Sequence, residues 1–245
     1  MKNLQEQEKQ GMVQDESSSI FTAPLQRRSF LQFAGASAAG IALVAAGCRK
    51  DRPMNPGMGG SATLDFKNDF GVLNYAYALE QLEAAFYIQV ASNPPSDFSA
   101  SEKAYFQDIQ FHEIAHREYF KKALGANAIA SLEVDFSSID FRTRSGVLTV
   151  AKTFEDLGVS AYNGVGVRLQ DTNFLLAAGK IVSVEARHAA YVRDLISNGS
   201  FADLNDLSAF GSNAAGGLDA ALTPDKVLPL AKKYIKTQIN VINLS

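Results

Sequence analysis

The chain has 245 residues, of which 47% are hydrophobic and 20% are charged, so it is long enough for one domain with a sizeable core. The formal net charge is −3, and residues 1–47 carry equal numbers of acidic and basic side chains. Neither the whole chain nor its remainder therefore has the basic excess of a nucleic-acid-binding protein. Cys48 is the only cysteine, which excludes an intrachain disulfide and a cysteine-rich zinc site. Any bound metal must be held by histidine and carboxylate side chains.

The N-terminal residues predict an export signal. Arg27 and Arg28 precede an uncharged run of small and apolar residues, 33–47, which is shorter than the about 20 strongly apolar residues of a membrane span. This arrangement resembles a twin-arginine signal peptide over residues 1–47. The run ends at Cys48, in a context that resembles the cleavage box of a bacterial lipoprotein. The resemblance implies export by the twin-arginine machinery to the periplasm or cell envelope, with a lipid anchor on the cysteine; the alternative is an ordinary hydrophobic anchor.

The rest of the chain predicts a tether and one helical domain. Residues 48–64 contain Pro- and Gly-rich clusters that are typical of a flexible tether, and residues 65–245 are assigned to the domain. From residue 66 onward the apolar side chains follow helical spacing. Helices are predicted over residues 66–91, 99–125, 143–170, 174–197 and 224–240. Ser99 and Glu102 predict a capping box at the start of the second helix.

The lengths of the connections predict the topology. The first helix is joined to the second, and the third to the fourth, by short segments rich in turn residues, which favours two antiparallel hairpins. The segment 125–142 can extend about 60 Å and so cross the length of a helix. The sequence therefore predicts an all-α fold: a ferritin-like four-helix bundle of two hairpins joined by a long crossover, with an extra C-terminal helix.

Two Glu-x-x-His motifs lie on different predicted helices. One consists of Glu113 and His116, the other of Glu185 and His188. Residues three apart on a helix share a face, so each motif presents a carboxylate and an imidazole to the same point. These four side chains are candidate metal ligands.

The remaining two long helices each offer one glutamate for the same site. Glu80 precedes Tyr87 by seven residues and Glu155 precedes Tyr162 by seven, so the two hairpins form a weak internal repeat. At a rise of about 1.5 Å per residue, all four glutamates are expected at one level near the middle of the bundle. The two tyrosines are candidates for hydrogen bonds to the ligands, and Glu83 is a candidate group beside them or between the ions.

Burying four carboxylates is very costly unless cations neutralise them. Two divalent ions balance four glutamates, and two neutral imidazoles complete the coordination. Carboxylate-rich ligation with two histidines favours two iron or manganese ions over structural zinc, with iron slightly favoured. This combination of glutamates and Glu-x-x-His motifs is known from di-iron and di-manganese helical bundles.

At these positions the chain resembles the ferritin-like superfamily, which includes ferritins, rubrerythrins and manganese catalases. The resemblance covers about residues 66–198, and the segment 73–87 is similar to exported bacterial ferritin-like proteins, some of which are labelled desiccation-related. The resemblance implies redox chemistry with O₂ or peroxide, of the ferroxidase or catalase type. The non-enzymatic alternative is a stress-related envelope protein with a structural metal site. A homo-oligomer is compatible with either.

A zinc metalloprotease is a further alternative. Residues 112–116 spell His-Glu-Ile-Ala-His, the motif in which both histidines bind zinc and the glutamate is the base. Glu118 lies where such proteases usually have a small or apolar residue, and this hypothesis leaves the second Glu-x-x-His motif unexplained. The two-metal hypothesis instead places His112 beside the site or on the helix surface.

Overall fold

The computed structural model describes residues 60–244. The predicted signal peptide, with Arg27, Arg28 and Cys48, and most of the predicted tether lie outside the described residues. Within the described range the chain forms these helices and strands: β1 Ser61–Asp65, α1 Asp69–Ser92, α2 Ala100–Leu124, α3 Arg144–Val165, α4 Thr172–Ile196, α5 Pro224–Ala231 and β2 Gln238–Ile242. Short 3₁₀ turns connect several of them. No helix of residues 60–244 has both the length and the apolar character needed to cross a membrane.

The four long helices begin where polar side chains cap them. Asn68 accepts a hydrogen bond from a backbone N–H of the first turn of α1, and Thr143 and Asp171 do the same for α3 and α4. At α2, Ser99 and Glu102 form the predicted capping box. Each cap satisfies N–H groups that have no partner within the helix, which fixes where the helix starts.

The predicted all-α bundle is confirmed. Helix α1 packs against α2, and α3 against α4, across short connections, and α1 also contacts α3. The two pairs are the predicted hairpins, and the segment 125–143 joins them. This arrangement brings one face of each of the four long helices to a common interior.

The crossover lies along α1 and covers it. The side chain of Asn74 accepts a hydrogen bond from the backbone N–H of Ile129 at 2.8 Å, and two turns later Gln81 accepts one from Leu132 at 2.8 Å. Near the end of α1, Phe86 packs against two aromatic rings of the crossover. Because the bundle encloses one side of α1 and the crossover another, most residues of this helix are buried. A glutamate on α1 therefore has few routes to water.

The predicted C-terminal helix over 224–240 is wrong in length. Helix α5 ends at Ala231, and residues 238–242 form strand β2. Pro229 lacks a backbone donor within the helix, and the β-branched residues that follow favour an extended chain.

The predicted tether is wrong at its C-terminal end, because residues 61–64 lie in strand β1. Ala62 and Leu64 point inward and are buried, whereas Ser61 and Thr63 are exposed. Strand β1 pairs in parallel with β2, so that Ser61 lies opposite Gln238. The burial of alternate side chains and the backbone hydrogen bonds to β2 attach this segment to the domain.

Gly164 permits a close contact between α3 and the chain before α5. A Cβ at this position would lie 1.9 Å from the carbonyl oxygen of Leu222, whose own N–H donates to the carbonyl of Ser160 at 2.9 Å. We expect Gly164→Ala to displace this segment and to lower the free energy of unfolding by about 1–3 kcal/mol. Urea denaturation measures the change.

Gly179→Ala is the matched control, because a Cβ at that helical position meets nothing within 4 Å. It is expected to keep or slightly raise the free energy of unfolding, since alanine favours helix over glycine by up to about 1 kcal/mol. Equal stability of the two variants would contradict the close contact.

Candidate metal centre

The six predicted ligands converge inside the bundle from all four long helices. Helix α1 provides one glutamate and α3 another, while α2 and α4 each provide a glutamate and a histidine. All four glutamates are 0% exposed, and the histidine side chains retain only 11% and 6% exposure. The residues are Glu80, Glu113, His116, Glu155, Glu185 and His188.

The ligand atoms fall into two clusters with shared members. Within each cluster the four candidate donor atoms lie within 4.8 Å of one another. Glu113 and Glu185 belong to both clusters. The first cluster is completed by a glutamate and a histidine of the first hairpin, Glu80 and His116, and the second by Glu155 and His188 of the second hairpin. The arrangement is that of two adjacent cation positions, each with its own glutamate and histidine and with two carboxylates in common.

Contacts across the bundle hold the two hairpins together at this point. His116 Nδ1 of α2 lies 2.7 Å from Glu185 Oε1 of α4. In the reciprocal contact, His188 Nδ1 of α4 lies 3.0 Å from Glu113 Oε1 of α2. The internal repeat in the sequence therefore corresponds to an approximate twofold relation in the structure.

Tyr87 and Tyr162 distinguish the two kinds of glutamate. The hydroxyl of Tyr87 donates to Oε1 of Glu155, and that of Tyr162 donates to Oε1 of Glu80. In each pair the tyrosine and the glutamate come from different hairpins. Only Oε2 of these two glutamates remains without a partner, whereas both oxygens of Glu113 remain so. We call Glu80 and Glu155, which belong to one cluster each, the outer glutamates. The tyrosines leave one oxygen of each outer glutamate for a metal, while Glu113 and Glu185 each offer two oxygens.

The donor set fits two divalent cations. Buried oxygens of all four glutamates and Nδ1 of both histidines lack a well-directed hydrogen bond within the described chain. Such atoms are costly to bury unless a cation binds them. Two divalent ions would balance four carboxylates, with Glu113 and Glu185 placed to contact both.

In the metal-free protein, protons bound to the ligand side chains partly neutralise the four glutamates. Burial raises the pKa of Glu155 to about 8, against the lowering effect of His188. Burial lowers the pKa of His116, but Glu113, Glu185 and Glu80 outweigh this effect and raise it to about 12. Metal binding must therefore displace protons from the site.

Glu83 is a further buried carboxylate beside the four glutamate ligands, and it belongs to neither cluster. It lies one turn after Glu80, and a Cβ at Gly158 of α3 would come 3.0 Å from its Oε1, so the glycine leaves room for it. Burial and the charges of Glu113 and Glu185 raise the pKa of Glu83 well above its usual value. Its burial therefore favours the protonated form of the side chain over the carboxylate.

His112 is exposed on α2 and contacts the outer side of one ligand. Its Nδ1 lies 2.9 Å from Nε2 of His188, and the two ring planes are within 8° of parallel. His112 belongs to neither cluster, whereas His116 belongs to the first. This placement counts against the zinc-protease alternative, in which both histidines of the motif would bind the same ion.

The family of this chain follows from comparison with known proteins. A family model described as a ferritin-like domain matches residues 68–198, which is more than half of the chain. The chain therefore belongs to the ferritin-like family. A search of curated proteins found no match. The matched range contains all four long helices and all six candidate ligands.

Proposed function

We propose that this protein is a two-metal redox protein that binds two iron or manganese ions and reacts with O₂ or peroxide. The observation that carries the proposal is the pair of buried clusters that share Glu113 and Glu185. Two adjacent ions, each able to exchange one electron, supply the two-electron chemistry that these oxidants require. Oxygen-rich ligation with two imidazoles supports iron or manganese, with iron slightly favoured.

The residues around the centre support small oxidants as substrates. All four glutamates are fully buried, whereas the side chains of His116 on α2 and His188 on α4 retain 11% and 6% exposure. A small molecule is therefore expected to approach between α2 and α4. The buried hydroxyls of Tyr87 and Tyr162 hold Glu155 and Glu80 in place, and Glu83, whose pKa is raised by burial, provides a proton-binding group near the ions.

Activity assays on metal-loaded protein test the redox proposal. The full chain is reconstituted anaerobically with Fe²⁺ or Mn²⁺ and then assayed for O₂ consumption with excess Fe²⁺ and for O₂ release from peroxide. We expect turnover in at least one assay, and its loss in Glu185→Gln, because this carboxylate belongs to both clusters. Glu118→Gln is the matched control, since this α2 glutamate is exposed and outside both clusters.

Two bound ions without turnover in either assay would overturn the redox proposal. That outcome would support the structural alternative, in which metals stabilise the bundle by neutralising its buried carboxylates. The alternative predicts a large rise in melting temperature on metal binding.

We also propose that the protein is exported by the twin-arginine machinery to the periplasm or cell envelope and anchored by a lipid on Cys48. The proposal rests on Arg27, Arg28 and the apolar run that precedes the cysteine. Replacing both arginines by lysine is expected to retain the protein in the cytoplasm, as measured by cell fractionation. Unchanged delivery of the double variant would contradict this route.

A further inference from the structure

The two hairpins differ in the residue that lies one helical turn before each histidine ligand. One helical turn before His116 lies His112, and one turn before His188 lies Val184. Residues four apart on a helix share a face, so His112 and Val184 both lie on the same helix face as a histidine ligand, at the interface between α2 and α4. At these equivalent positions the first hairpin therefore has an imidazole, His112, and the second hairpin has an aliphatic side chain, Val184.

His112 acts on the ligand of the opposite hairpin. For Nδ1 of His188 to bind a metal, that nitrogen must be unprotonated, so its Nε2 carries the proton and donates it to Nδ1 of His112 at 2.9 Å. The nearly parallel ring planes are suited to this bond. It fixes both the tautomer and the orientation in which Nδ1 of His188 faces the second cluster.

His116 has no equivalent support. Val184 offers no acceptor, and within residues 60–244 no hydrogen bond involves Nε2 of His116. The carboxylate ligands themselves have similar contacts, since Glu80 and Glu155 each accept a tyrosine hydroxyl and both clusters share Glu113 and Glu185. Glu83 has no counterpart on α3, where Gly158 stands, but it belongs to neither cluster. Among the six ligands, the difference between the two positions therefore lies in the imidazoles.

We propose that the two metal positions are inequivalent: the position formed with Glu155 and His188 takes the first ion, and His112 is the positioning residue responsible. Partners that orient a metal-bound histidine typically change metal affinity by about 10–100-fold, so a gap of that size is expected between the two binding steps. The inference rests on the two-metal part of the proposed function but does not require redox activity.

Stepwise metal titration tests the inference. Metal-free full-length protein is titrated with Mn²⁺, and free Mn²⁺ is followed by its electron paramagnetic resonance signal. The wild type is expected to show two steps per chain separated by about 10–100-fold. Glu80→Gln should retain the tighter step, whereas Glu155→Gln should lose it, which assigns the steps to the two positions.

Substitutions at the two equivalent positions, 112 and 184, test the role of His112. His112→Ala is expected to weaken the tighter step about 10–100-fold and to leave the weaker one unchanged. Val184→His places an imidazole at the equivalent position of α4 and is expected to tighten the weaker step. Phe111→Ala, at the neighbouring position that is 56% exposed, should change neither step and controls for surface effects on α2.

The outcomes separate this inference from the proposed function. Equal affinities of the two steps in the wild type, or an equal effect of His112→Ala on both, would overturn the inference and leave the two-metal proposal standing. Failure of the wild type to bind Mn²⁺, Fe²⁺ or Co²⁺ at all would overturn the two-metal proposal, and the inference with it.

Discussion

Glu113→Gln is expected to lower the bound metal from about two ions per chain to fewer than one. This glutamate belongs to both clusters, and both of its oxygens are buried without a well-directed hydrogen bond, so its loss would remove a ligand from each ion. Glutamine keeps the size of the side chain but neither the charge nor the second anionic oxygen. The four-helix fold should persist, because both histidines that contact Glu113 keep other glutamates beside them: Glu80 and Glu185 beside His116, and Glu155 and Glu185 beside His188. Metal per chain is measured by elemental analysis after anaerobic reconstitution with Mn²⁺ and desalting.

Glu83→Gln is the matched control for this experiment. Glu83 is also buried, but it belongs to neither cluster, and burial raises its pKa well above the usual value. A neutral amide of similar size should therefore leave about two ions bound. Equal metal content in the two variants would contradict the assignment of Glu113 as a shared ligand.

The metal-free protein is expected to lose stability as the pH rises from 5 to 8. Folding raises the pKa of Glu155 from 4.5 to about 8 and that of His116 from 6.5 to about 12. Over this pH range the folded state therefore keeps protons that the unfolded state releases, so the free energy of unfolding decreases with pH. Acidic groups whose pKa is lowered by folding are ionised in both states above about pH 5, so they do not change the trend. Burial lowers the pKa of His112 and so opposes the trend, but it is one group against two.

Metal binding should reverse this trend, because the ions require deprotonated ligands and bind more tightly as the pH rises. Thermal unfolding followed by circular dichroism at pH 5, 6, 7 and 8 measures both states. The gap in melting temperature between metal-loaded and metal-free protein should widen across this series. A metal-free protein that becomes more stable with pH, or a constant gap, would contradict the charge arrangement of the centre.

Local features of the sequence predicted most of the bundle. The caps at Ser99 and Thr143 and the spacing of apolar residues act over one or two turns, so they specify helix starts without knowledge of the tertiary fold. The Glu-x-x-His motifs are equally local, since residues three apart always share a helical face. The convergence of Glu80 and Glu155 could be predicted because the short turns fix how far along the bundle each glutamate lies.

Features that depend on distant pairing were not predicted. Strand β1 forms because residues 238–242 lie beside it. The β-branched residues of that segment favour an extended chain, but no local pattern predicts its pairing with residues 61–65. The sharing of Glu113 and Glu185 by both clusters depends on distances between hairpins. The contact of His112 with His188 joins residues 76 positions apart. A histidine one turn before a ligand was a signal for this contact, but its partner became identifiable only in three dimensions.

Elemental analysis of the wild-type protein purified from its native host tests the central claim most directly. Six buried side chains, four of them carboxylates at 0% exposure, are arranged in two overlapping clusters that cations would neutralise. The expected result is about two iron or manganese ions per chain, by the charge balance of four glutamates and two divalent ions. A protein that is folded yet free of metal, or that holds a single zinc ion, would contradict the two-metal centre.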